Sequence, residues 1–477
     1  MTRSHVIATA CFLCFTFVAS VPIRAQEKPA EVWSGTLQAG PQQIKMQFRI
    51  FENEGTRSGL LDVISQGAND IPFEIKQDDA EVTYNVKLIQ SKYAGKLNDA
   101  KNEIEGHWFQ GGVKLPFKLT KAEKATSPDD LWKSRTQVPK APFPYEIREI
   151  TCNNAADGIN LAGTLTLPKG KGPHPAVILI SGSGPQDRDE TLMGHKPFAV
   201  LADHLSREGI AVLRMDDRGV GQSEGEFANA TTEDFTRDIE AGIDYLKTVD
   251  EIDTSKIGLM GHSEGGLVAP IIAARRGDVA MIVLLAGPGV TGQRIVETQS
   301  ALILRAEGVP EEKIKLNRKF LDAGLEVVRS LEEGDDIEAK LSKEVDRLIA
   351  EMDEESRPEY EAAKEQIIAG LGPLTNPWFK YFMTYDPQPA LTKVTCPVLA
   401  INGAKDLQVP ADENLQAIED ALKAGGNQDF EVAKLAGLNH LFQTAGTGSP
   451  SEYIKIDETF APAALEKIST WIQERTR

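Results

Sequence analysis

Lys256-Ile257-Gly258-Leu259-Met260-Gly261-His262-Ser263-Glu264-Gly265-Gly266-Leu267-Val268-Ala269-Pro270-Ile271-Ile272 decides the fold. An apolar run enters Gly-x-Ser-x-Gly, and an apolar helical pattern leaves it. The pentapeptide alone says little, because chance gives it in roughly one chain in six at this length. Its flanks carry the signal. Ile257, Leu259 and Met260 read as a short buried strand, and Leu267 to Ala274 as the first turns of a helix. A sharp strand-to-helix elbow strains the backbone at its tip, and only small residues two places either side let the chains pass. Gly261 and Gly265 supply that room. Ser263 then stands out of the sheet beside the positive end of a helix, as a nucleophile must.

Outward from the elbow, strands and helices alternate. Ile147 to Leu167 reads as two strands, Ala176 to Ile180 as a central strand, Phe198 to Arg207 as a helix and Ile210 to Met215 as a strand. Thr232 to Val249 is a long helix, and Ala280 to Ala286 a strand after the elbow helix. Pro397 to Asn402 and Phe430 to Ala436 resume the strands, and Phe460 to Glu474 closes as a helix. Continuous apolar strands between helices predict a doubly wound, mostly parallel sheet, whose reactive groups sit beyond the carboxyl ends of the strands.

This order resembles the α/β-hydrolase superfamily, and within it bacterial esterases with Gly-His-Ser-x-Gly-Gly. The resemblance runs from about Tyr145 to the C-terminus. It rests on Ser181-Gly182-Ser183-Gly184-Pro185-Gln186-Asp187-Arg188, Asp216-Asp217-Arg218-Gly219-Val220-Gly221-Gln222-Ser223, the elbow, Asn402-Gly403-Ala404-Lys405-Asp406 and Leu438-Asn439-His440-Leu441-Phe442. Ser181 stands where many relatives carry His before the oxyanion-loop glycine. The resemblance implies acyl transfer, with the order nucleophile, acid, base along the chain.

A serine hydroxyl needs a base, and the base needs an acid to hold its tautomer. Of the seven histidines, His5 falls in a leader, His107 in a β region and His262 within the elbow. His174 precedes a strand, at the wrong end of the sheet, and His204 lies in a helix pattern. His195, in a loop after the central strand, is within reach of the site. His440 follows the last strand and best fits the base. Asp406, between Ser263 and His440, fits the acid, while Asp412 and Glu413 read as charges opening a helix. The oxyanion donors are expected to be the backbone N–H groups of Ser183 and Glu264. The Glu264 side chain is expected to face solvent, and Asp217 and Arg218 to order a turn. Asp187 and Asp189 lack metal-ligand spacing, so neither metal nor cofactor is implied.

Gly287-Pro288-Gly289-Val290-Thr291-Gly292 matches a dinucleotide fingerprint and follows a strand. The second strand and acid that such a site needs are missing, so nucleotide binding is not read here. The stretch from about 292 to 391 is instead a helical insertion, expected to cap the site. Trp378, Phe379 and Phe382 near its end are candidates for an acyl pocket.

The N-terminal part differs. Arg3 and His5 precede an apolar run, Val6 to Ala19, too short to span a bilayer but fitting a secretory leader cleaved after Ala25. The protein is therefore expected to be exported to the periplasm or beyond, without a membrane anchor after cleavage. Residues 26–121 alternate with period two: Ile44, Met46, Phe48 and Ile50, then Val82, Tyr84, Val86 and Leu88, then Val113, Leu115, Phe117 and Leu119. About eight short strands predict a small all-β, barrel-like domain. Residues 122–144, with four prolines, read as a linker to an α/β domain over 145–477. The four cysteines include Cys11 and Cys14 of the leader and form no disulfide framework. The net charge of −19 argues against nucleic acid or anionic membrane as partner. Three readings remain: a serine esterase for small ester substrates, a serine peptidase of prolyl-oligopeptidase type, or an idle hydrolase fold that binds a ligand. The region before the linker is far smaller than the propeller such peptidases carry.

Overall fold

The computed structural model describes residues 29–477 except 40–41, 54, 65–67, 87–90, 111–112, 127–134, 333–334, 372–373 and 375. Residues 1–25, expected to be a leader, and residues 127–134 of the expected linker lie outside this set. The described chain forms two compact units. One holds residues up to 126 together with Pro310–Lys380; the other holds residues from 135 to 309 together with Tyr381–Arg477.

The first unit opens with eight antiparallel strands. These are β1 (Glu31–Ala39), β2 (Gln42–Asn53), β3 (Thr56–Val63), β4 (Ala68–Asp78), β5 (Glu81–Val86), β6 (Ser91–Leu97), β7 (Glu103–Gln110) and β8 (Val113–Ala122). Each pairs with the next, and β1 pairs with β8 through Val32↔Ala122, closing the barrel. Period-two alternation sends one side of each strand inward. Phe48, Tyr84, Tyr93, Trp108 and Phe117 are buried there. Phe48 lies 5.2 Å from Tyr84 and 6.3 Å from Trp108, centroid to centroid. Aromatic rings thus fill the barrel interior. On the other side of the strands, buried Asp62 accepts from Gln47 Nε2 at 2.9 Å and Arg49 Nε at 2.8 Å.

The second unit is a sheet of eight strands. Two of them, β9 (Glu146–Asn154) and β10 (Ile159–Leu167), form an antiparallel hairpin at one edge. The others are β11 (His174–Ile180), β12 (Ala211–Met215), β13 (Ile252–His262), β14 (Met281–Leu285), β15 (Val398–Gly403) and β16 (Phe430–Leu435). The order is β16-β15-β14-β13-β11-β12-β10-β9, parallel from β16 to β12. Helices α1 (Pro197–Arg207), α2 (Thr232–Leu246) and α3 (Gly265–Arg275) follow β11, β12 and β13, and α4 (Gly292–Ala306) follows β14 and opens the insertion. The insertion then adds α5 (Glu311–Arg329), α6 (Ile337–Ala350), α7 (Arg357–Leu371), α8 (Pro377–Thr384) and α9 (Gln388–Leu391), before α10 (Ala411–Ala424) and α11 (Pro462–Thr476).

Both faces of the sheet are buried, which is why its strands read as continuous apolar runs. Ile178 and Ile180 pack with α2, α3 and α10 on one face. Val177 and Leu179 pack with α1 and α11 on the other. The insertion divides between the units: α5, α6, α7 and the start of α8 belong with the barrel strands, and α4, the end of α8 and α9 with the sheet.

Candidate active site

At the carboxyl end of β13 the backbone makes the strained turn. Ser263 has φ 52°, a left-handed conformation that a non-glycine residue adopts at some cost. Its N–H is held by the Leu285 carbonyl at 2.9 Å. A Cβ on Gly261 would lie 1.9 Å from the Gly265 carbonyl oxygen, and one on Gly265 2.3 Å from the Ile180 carbonyl oxygen. The paired glycines therefore let three backbones converge under Ser263. In the Gly-x-Gly-x-x-Gly stretch, a Cβ on Gly289 would sit 2.2 Å from Asn414 O, and one on Gly292 2.0 Å from Phe382 O. Those glycines serve backbone packing.

Asp406 and His440 come from loops that follow neighbouring strands, β15 and β16. His440 Nδ1 and Asp406 Oδ2 are 2.8 Å apart, both residues 4% exposed. The other carboxylate oxygen of Asp406 accepts the N–H groups of Gln408 at 2.8 Å and Val409 at 2.9 Å. Held this way, the carboxylate can accept a hydrogen bond from Nδ1–H, which keeps that proton on the imidazole and leaves the Nε2 lone pair free to accept one. The loop carrying His440 is pinned by its own hydrogen bonds and by packing. Asn439 Oδ1 accepts Leu441 N at 3.0 Å and Gln443 N at 2.9 Å. Phe442, fully buried, stacks on Phe460 at 5.2 Å.

The loop after β11 reaches Ser263 from the other side. A Cβ on Gly182 would be 3.2 Å from Ser263 Cβ. The Gly182 N–H is committed to Glu190 Oε1 at 2.8 Å, so Ser183 offers the next N–H along the loop. The Asp216-Asp217 turn latches this loop in place. Asp217 accepts Ser181 Oγ at 2.8 Å and Gln186 N at 2.9 Å; Asp216 pairs with Arg188 at 2.7 Å. Arg218 ties its own turn to Asp238 at 2.7 Å and Asp157 at 2.7 Å.

Two expectations need correction. The Glu264 side chain does not face solvent: it is 3% exposed and its Oε1 accepts Thr232 Oγ at 2.6 Å. The helix start turns this side chain into the interior between α2 and α3, and only its backbone lies at the elbow. His195 bonds to none of Ser263, Asp406 and His440; it is buried, with Nδ1 2.9 Å from Thr459 Oγ and Nε2 3.1 Å from the Tyr453 carbonyl and 3.3 Å from Gln443 Nε2 in the loop that carries His440. Sequence reading passed over His262 and Glu190. His262 is buried, its Nδ1 2.7 Å from Glu190 Oε1 and its Nε2 3.1 Å from the His440 carbonyl. Trp378 and Phe379 are buried edge to face in the first unit. Phe382 is buried in the second unit, against the start of α4.

The family described as serine aminopeptidase, S33, matches residues 195–444, more than half of the chain. The chain belongs to that family of α/β hydrolases. Among curated relatives, the S33 member here is similar to Esterase EstD of Thermotoga maritima, at 27% identity over 407 residues, covering 84% of this chain and 78% of that one. It is also similar to an uncharacterised 31.7 kDa protein of Escherichia coli, at 28% identity over 60% of this chain and 90% of that one. A solved esterase of Pyrococcus furiosus aligns over 70% of this chain and 92% of its own at 15% identity, with a TM-score of 0.43.

Proposed function

We propose that this S33 hydrolase is an exported serine carboxylesterase working through an acyl-Ser263 intermediate. The observation that carries the reading is the His440–Asp406 pair, whose loop is hydrogen-bonded to the residue just before an elbow serine. In the proposed cycle His440 Nε2 takes the Ser263 proton as Oγ attacks the ester carbonyl. The N–H groups of Ser183 and Glu264 hold the oxyanion, and His440 returns the proton to the leaving alcohol. Water then repeats the sequence to release the acid. The similarity to a curated esterase supports esters as the substrate class. It covers too much of the chain to be met by residues 145–477 alone. The leader pattern supports export.

A second reading, hydrolysis of aminoacyl or peptidyl amides, is favoured by the aminopeptidase description of the family. One panel separates the two. Purified protein lacking the leader is assayed on acyl esters of graded length beside aminoacyl amides, with a fluorophosphonate label on wild type and Ser263→Ala. Ester turnover with label lost in the variant is expected. Turnover confined to amides would favour the second reading, and label retained on another serine would remove Ser263 from the mechanism.

A further inference from the structure

His262 and Glu190 sit between the two loops that the proposed mechanism must hold together. Glu190 Oε1 receives two donors, the Gly182 N–H at 2.8 Å and His262 Nδ1 at 2.7 Å. The far nitrogen of His262 meets the His440 main-chain carbonyl at 3.1 Å. The His262 and His440 rings lie 4.8 Å apart. One imidazole thus connects the oxyanion loop, through a single carboxylate oxygen, to the backbone of the residue read as the base. Glu190 itself has φ 53° and is 6% exposed. A buried glutamate in the left-handed region is disfavoured, and the surroundings hold it there.

The hydrogen bonds count protons. A carbonyl only accepts, so Nε2 must carry a proton. An ionised carboxylate only accepts, so Nδ1 must carry one too. All three contacts are satisfied together when Glu190 is a carboxylate and His262 an imidazolium. Removing one proton sets a lone pair against either the carboxylate or the His440 carbonyl. We propose that Glu190 and His262 are positioning residues, an ion pair with no net charge that locks the oxyanion loop to the base loop. We further propose that loss of its proton releases the His440 carbonyl and sets the alkaline limit of activity.

The electrostatics agree. The ionisable groups that face His262 are Glu190 from the loop after β11, Asp406 from the loop after β15, and His440 from the loop after β16; Phe442 closes an apolar side at 6.5 Å. Burial pushes the imidazole down, but the Glu190 charge, its hydrogen bond, the His440 carbonyl and Asp406 push it up by more, and the net direction is up. The shift has a sign consequence. A raised pKa moves the loss of the clamp's proton toward the alkaline side.

The proposal rests on His440 being the base, and the test separates the two ideas. Glu190→Gln keeps the shape and removes the counter-charge, so His262 should lose its proton at a pH lower by about 1–3 units. The alkaline limb of kcat/KM is expected to move down by that amount. A profile that merely drops in parallel across all pH would reduce the pair to packing and overturn the proposal. A wild type that cleaves no ester would sink the esterase reading instead. The protonation state is decided without substrate, by nitrogen-labelled histidine NMR of the whole protein. Two ring N–H signals are expected for His262, both absent in His262→Gln and one of them lost as the pH passes the alkaline limb. If that variant does not fold, the signals that shift in Glu190→Gln identify the residue. A single ring N–H at neutral pH would overturn the ion pair.

Discussion

At the residue scale, Asp406 shows how a site is built from obligations that cannot all be met elsewhere. One carboxylate oxygen holds two backbone N–H groups of its own turn, so the other has a fixed direction, and His440 Nδ1 lies along it at 2.8 Å. Asp406→Asn keeps the volume and replaces an oxygen by an NH2 donor. If the amide turns its oxygen to the turn, its NH2 faces Nδ1 and favours the wrong imidazole tautomer. We expect kcat to fall by about 10²–10⁴ with the circular dichroism spectrum unchanged; turnover near wild type would remove Asp406 from the mechanism. Ser263, Asp406 and His440 were legible because each falls in a loop after a strand and in a fixed chain order. Glu190 and His262 were not. A glutamate in a polar loop and a histidine beside the nucleophile carry no spacing signal, and their meeting across 72 residues exists only once β11 and β13 pair. The left-handed backbone of Glu190 is a property of the fold and invisible in composition.

At the scale of elements, the elbow was legible because its glycines have one physical cause, close backbone approach. The same cause accounts for the glycines after β14, where the fingerprint-like pattern packs against Asn414 and Phe382. The barrel strands announced themselves by strict alternation, since one side of each is aromatic core and the other carries lysines, glutamates and the Gln47–Asp62–Arg49 cluster. The insertion was harder. Its helices showed amphipathic periodicity, but periodicity does not say what a helix packs on, and residues 310–380 group with the barrel strands rather than the sheet. Phe382 can be argued within the sheet unit alone. Ser263 N–H binds Leu285 at the end of β14, the chain runs on to α4, and Phe382 lies against the first residue of that helix. Phe382→Ala removes a ring from a segment one short loop away from Ser263. We expect the ratio of kcat/KM between medium and short acyl esters to change by about 10-fold or more, with little change on the smallest ester, since one methylene in an apolar pocket is worth about 1–3 kcal/mol. An unmoved ratio in a folded variant would place selectivity on other walls.

Across the whole molecule, long-range stitching decides what belongs together, and sequence proximity is a poor guide to it. Part of the proline-bearing stretch read as a linker is docked on the sheet unit: Arg135 donates to the Met193 and Ile454 carbonyls at 3.0 Å, and Gln137 donates to Phe460 O at 2.8 Å. His195 makes the second stitch. It lies between the helix-entry loop before α1 and the segment leading into α11, and it is 1% exposed. Burial is the main cause that lowers its pKa to about 4, with Arg135 adding to the fall and the Tyr453 carbonyl opposing it. An ordinary imidazole titrates near 6.5. The folded value is depressed, so the unfolded chain takes up this proton first as the pH falls. The contribution is therefore intact above about pH 6.5, is lost progressively down to about pH 4, and changes no further below that. The full span corresponds to about 3 kcal/mol. Gln at this position can hydrogen-bond but cannot titrate. His195→Gln is expected to lose about 1–2 kcal/mol at pH 7.5, from imperfect replacement of the buried polar contacts to Thr459, Tyr453 and Gln443. Between pH 7.5 and 4.5 it should then lose less stability than wild type, by an amount approaching that 3 kcal/mol. Urea denaturation of both proteins at the two pH values measures the difference, and carboxylates that titrate in the same range cancel because both proteins carry them. Equal acid losses would mean that folded His195 takes up its proton as readily as in the unfolded chain, with Thr459 Oγ and the Tyr453 carbonyl then both accepting from an imidazolium.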